Sequence, residues 1–84
     1  MNPKKTSLEK QLTEIIFQAL GVEEKKVSPD SDFYSDFNIS RLELADLIMT
    51  CQEKLNINLD ENAINKVVTV ADLLKLLEEN SDEI

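Results

Sequence analysis

An all-α fold is predicted for this chain: a small four-helix bundle with three main helices, a short third helix and a long first loop. Three observations predict it. Apolar residues recur at three- and four-residue spacing along most of the 84 residues, and capping signatures precede each of these runs. Only Leu55-Asn56-Ile57-Asn58-Leu59 alternates as a strand would, and with no second alternating segment to pair with it reads as an extended connection.

Helix I is expected over about 7–20, where Leu8, Leu12, Ile15, Ile16, Ala19 and Leu20 keep helical spacing. Thr6 and Glu9 stand in capping-box positions, and Gly21 lies just past the end. Residues 21–39 have no sustained period; they hold Pro29, the turn formers Ser28, Asp30, Ser31, Asp32 and Asn38, and the apolar Phe33, Tyr34, Phe37 and Ile39. So long a loop is expected to pack over the helices by its own aromatic side chains. Ser40-Arg41-Leu42-Glu43 is a second capping box, and it opens helix II over about 41–54, with Leu44, Leu47, Ile48, Cys51 and Leu55 on one stripe. A neighbouring stripe of Leu42, Ala45 and Met49 gives this helix more apolar surface than one core-facing side requires. Asp60 caps a short helix III reaching about 66; Thr69 and Asp72 then cap helix IV, which carries Val70, Leu73, Leu74 and Leu77. The chain reads as one domain over 1–84, frayed over 1–5 and 80–84.

Charge and composition exclude several functions. Nine Lys and Arg against seventeen Asp and Glu give a net charge of −8, which opposes nucleic acid and anionic membranes and favours basic partners. A lone cysteine, Cys51, excludes an internal disulfide; with no His to activate it and a place on the core stripe, it reads as a buried inert thiol. Asp30, Asp32 and Asp36 lack the glycine and closing glutamate of a calcium loop, so they read as turn formers and no metal site is expected. No apolar run is long enough to span a membrane, and the start has no signal-peptide pattern, so a soluble cytoplasmic protein is expected. With no phosphate loop and no paired-carboxylate cleft, the chain is not expected to be an enzyme.

The layout has Leu20-Gly21-Val22 closing helix I, Pro29-Asp30-Ser31-Asp32-Phe33 in the loop and Thr69-Val70-Ala71-Asp72-Leu73 opening the last helix. It resembles the acyl carrier proteins, whose usual pattern lies on residues 29–72 without a gap. The resemblance implies an acidic four-helix carrier whose helix II begins at an Asp-Ser-Leu motif, the serine bearing a 4'-phosphopantetheine arm. In the ungapped register that motif reads Ser40-Arg41-Leu42, so Arg41 stands where the attachment serine is expected. Attachment needs a hydroxyl to attack the pyrophosphate of coenzyme A, and a guanidinium is not a nucleophile. No cofactor is therefore expected at Arg41.

Ser40 has the required hydroxyl, but one residue along a helix is a shift of about 1.5 Å and about 100°. Its simpler role is the N-cap, worth on the order of 1 kcal/mol. Arg41, a cation in the first helical turn, is either a solvated surface residue or an insertion that alters partner choice, with an acid such as Asp36 or Glu43 expected to offset it. The resemblance further implies that partners dock on helix II. Glu43, Asp46 and Glu53 match its acidic positions, Gln52 replaces another, and Leu42, Ala45 and Met49 match the apolar contacts. Ten acids and three lysines from Glu43 onward would steer a basic partner.

The function this supports is a non-catalytic carrier-like module of fatty-acid or polyketide-type acyl metabolism, a monomer without a covalent arm. It would present helix II to basic-faced acyl-transfer or lipid-synthesis enzymes. Two alternatives stand beside it: a working carrier with 4'-phosphopantetheine on Ser40, and an unrelated acidic helical regulatory protein, which would lack the packed first loop.

Overall fold

The computed structural model describes residues 7–81. It contains α1 (Ser7–Leu20), a 3-10 turn (Glu24–Lys26), α2 (Arg41–Leu55), α3 (Glu61–Ile64) and α4 (Val70–Glu79). The four helices are those expected, and no strand occurs among the described residues. The Thr6 capping position and residues 82–84 lie outside the described residues.

α1 buries Leu12, Thr13, Ile15 and Ile16, one face of the helix, against α2 and α4. It ends because Gly21 takes φ +75°, the left-handed conformation that glycine adopts at no steric cost, and donates its N–H to the Phe17 carbonyl at 2.8 Å. α2 opens on the expected capping box. Glu43 N–H donates to Ser40 Oγ at 3.1 Å, and Ser40 N–H donates to Glu43 Oε1 at 2.8 Å. α2 closes on Asn56, at φ 57°. Leu44, Leu47, Ile48 and Cys51 face the core, as the stripe requires.

The first loop packs as expected, by Val27 and Phe33, which are buried, with the Phe33 ring edge-on to Phe37 at 5.8 Å. It is also tied down by backbone. Phe33 N–H donates to the Val68 carbonyl at 2.9 Å, Val70 N–H to the Ser31 carbonyl at 3.0 Å and Ala71 N–H to the Pro29 carbonyl at 3.0 Å. These bonds surround an isolated antiparallel bridge between Asp32 and Thr69, stitching the loop to the start of α4. Within the loop Asp32 Oδ1 accepts the Tyr34 and Ser35 N–H groups, and Asp36 Oδ2 accepts Asp32 N–H. Asp32 and Asp36 thus do what turn-forming acids do.

Helix III ends two residues earlier than expected. After Ile64 the chain passes into turns, with Lys66 N–H on the Ala63 carbonyl and Val67 N–H on the Ile64 carbonyl. Continuing the helix would carry Val67, 3% exposed, out of the core and the Val68 carbonyl away from Phe33. Of the segments expected to fray, 1–5 and 82–84 lie outside the described residues; Asn80 Nδ2 donates to the Leu76 carbonyl and finishes α4.

At the start of α4 the Asp72 carboxylate accepts the Thr69 and Val68 N–H groups, both at 3.0 Å, and these bonds hold its pKa below the usual carboxylate value. A lowered folded-state pKa means that the carboxylate stabilises the fold above its unfolded pKa of about 3.9, and that this is lost as pH falls through the folded value. Asp72→Asn is therefore expected to lower stability at pH 7 by about 0.5 kcal/mol, a small figure because the group faces solvent. Urea unfolding of both chains should show the gap closing below about pH 4; a gap independent of pH would contradict the assignment.

Candidate functional site

The start and outward side of α2 hold the residues considered on sequence grounds for attachment and docking, Ser40, Arg41, Leu42, Glu43, Ala45, Asp46, Met49 and Glu53. Ser40, the N-cap, sits at φ −84° and ψ 168°, extended backbone that lets its hydroxyl turn back to the Glu43 amide. Arg41 is the first helical residue and is exposed. On the side away from the core, Leu42 is 77% and Met49 57% exposed, and Ala45 lies open with them. Isolated exposed apolar residues are ordinary, but three on one stripe are a surface patch. Glu43, Asp46 and Glu53 are exposed as well.

The two sides of this stripe differ. Arg41 and Ala45 line a recess of about 60 Å³ whose other walls include Tyr34, Ile48, Ile64 and Asn65, the loop and the end of α3. Glu43 and Asp46 line an open depression of about 330 Å³ on the opposite side, with Ala19 and Leu20 from the end of α1 and Thr50. The acids expected to offset Arg41 are committed to backbone: Glu43 to Ser40 N–H and Asp36 to Asp32 N–H at 2.7 Å. The larger surface depression, of about 760 Å³, lies at the first loop, between Glu23, Lys26, Asp30 and Asp36. Its wall carries charges of both signs, and the stripe of α2 is not part of it.

Gln52 plays a part that sequence reading missed. Its Oε1 accepts Leu59 N–H at 2.9 Å, fastening the α2–α3 connection to the helix it leaves. A glutamine seven residues before the amide it binds carries no local signal, and only the fold brings them together. Cys51 is fully buried, and desolvation pushes its thiol up to about 12, so it stays protonated and unreactive near neutral pH. Among the described residues no group of three or more His, Cys, Asp or Glu is placed to hold a metal ion. None of the described helices is long and apolar enough to cross a membrane.

Residues 10–77 match the family model described as the phosphopantetheine attachment site. The chain is similar to the acyl carrier protein of Chlamydia trachomatis serovar L2, with 37% identity over 76 residues covering 90% of this chain and 99% of the relative. It is similar in the same measure to the acyl carrier protein of Chlamydia muridarum, 37% identical over 76 residues.

Proposed function

Because the chain belongs to the acyl carrier protein family, we propose that it is a carrier-fold module that presents α2 to basic-faced acyl-transfer or lipid-synthesis enzymes and bears no covalent arm. The family is one of non-catalytic carriers, in keeping with the absence of any catalytic motif in the sequence. Family membership, with the loop packed over the helices, removes the reading as an unrelated acidic bundle.

The observation that carries the proposal is Arg41 at the first position of α2. A 4'-phosphopantetheine group needs an exposed hydroxyl there, and a guanidinium neither supplies one nor loses its proton in proteins. The residue present at that position does not fit the group. Ser40 offers the neighbouring hydroxyl and is exposed, which supports the second reading, a carrier modified one residue early. Against it, Ser40 Oγ is the acceptor of the Glu43 amide, and an ester oxygen accepts hydrogen bonds poorly, so modification would weaken the cap by about 1 kcal/mol. The shift of about 1.5 Å and about 100° would also misplace the nucleophile in a transferase site.

The docking role rests on the exposed Leu42, Ala45 and Met49 between charged edges, and on the acids Glu43, Asp46 and Glu53. The module would work as a monomer in transient complexes. The covalent part is tested by incubating the chain with coenzyme A and a broad-specificity phosphopantetheinyl transferase and reading the intact mass. No gain is expected, beside a conventional acyl carrier protein that labels fully. A single added group that maps to Ser40 and vanishes in Ser40→Ala would establish the second reading instead.

A further inference from the structure

The two edges of the exposed α2 stripe carry opposite charge, and they face different neighbours. At about 100° per residue, taking Arg41 as zero, Ala45, Met49 and Leu42 fall near 40°, 80° and 100°, Glu53 and Asp46 near 120° and 140°, Glu43 near 200° and the exposed Lys54 beyond it near 220°, so the edge next to the stripe on that side is acidic. Arg41 is therefore on one side of the apolar stripe and all three acids are on the other. The surroundings agree. Arg41 is the charged residue among those lining the recess toward Tyr34 and α3, whereas Glu43 and Asp46 line the depression toward the end of α1. A partner that was basic throughout would set one of its cations against Arg41, and like charges in contact are unfavourable.

Resting on the reading that α2 is the docking face, we infer that the partner surface is two-signed: an amphipathic helix whose apolar stripe covers Leu42, Ala45 and Met49, with a basic row toward α1 and an acidic side chain against Arg41. Helix on helix is the geometry that a straight stripe with charged edges accepts, and the edge charges fix its register. Arg41 then acts as a selector, rejecting helices that carry lysine along both edges.

Two synthetic helical peptides test this, alike in length and leucine stripe, one with Lys along both edges and the other with Lys along one edge and Glu along the other. Each is titrated into the wild-type chain and into Arg41→Glu at 0.15 M salt, following the α2 backbone amides by NMR. Arg41→Glu places an acid in the first helical turn, where the helix dipole favours it, so the variant folds. The ratio of affinities, two-signed over all-Lys, is expected to fall about tenfold from wild type to Arg41→Glu. An unchanged ratio with both peptides on α2 would overturn the inference and leave α2 as the docking face. Failure of both peptides to shift α2 amides would overturn the docking reading beneath it as well.

Discussion

Arg41→Ser is expected to accept a single phosphopantetheine group at position 41, where the wild-type chain is expected to accept none. The first position of α2 is exposed and followed by an exposed Leu42, and its backbone is fixed by the Ser40–Glu43 capping box on either side. A hydroxyl placed there inherits this geometry, while Ser40 remains the cap. Misplacing a nucleophile by about 1 Å can cost about a hundredfold in rate, so labelling of the variant should exceed any labelling of the wild type by at least about that factor. The fold should be undisturbed, since removing a cation from the first turn is favourable by a few tenths of a kcal/mol at most, roughly. Intact mass after timed incubation reads both rates. Equal labelling of the two chains, or none in the variant, would show that residue 41 does not decide attachment.

The second large effect lies in the first loop. Phe33 is fully buried, its ring lies edge-on to Phe37, and its N–H holds the Val68 carbonyl at the start of α4. Phe33→Ala is expected to cost about 3–5 kcal/mol, from lost burial and the cavity left behind. For a core of this size that is most of the total stability, so the variant should be largely unfolded at 37 °C, or melt at least about 12 °C lower. Phe17, 47% exposed on α1, is the control, and its alanine variant should lose less than about 1 kcal/mol. A Phe33 variant as mild as the Phe17 one would mean that the loop does not belong to the core.

The helices were legible because their ends are local chemistry. Ser40 with Glu43 and Thr69 with Asp72 are each three residues apart, and both pairs form the reciprocal bonds that their spacing predicts. Gly21 and Asp60 mark their boundaries in the same way. The lateral ties were not legible. Phe33 to Val68, Ser31 to Val70 and Gln52 to Leu59 join residues whose partners are chosen by the path of the chain, and none has a sequence signature. Helix III was overread for the same reason, because the demand that Val67 enter the core is a tertiary one. At the site, helical spacing placed Leu42, Ala45 and Met49 together and the structure leaves them exposed. What spacing could not show is that Arg41 opens toward α3 and Glu43 and Asp46 toward α1, because the neighbours of a helix face are set by the other helices.

Whether this acyl carrier family chain works without a covalent arm is read from its intact mass when isolated from the cells that make it, with fragmentation across residues 38–46. The expected result is the mass of the bare polypeptide, with Ser40 and Arg41 recovered unmodified. A population heavier by one phosphopantetheine or acyl-phosphopantetheine group, mapped to Ser40, would contradict it.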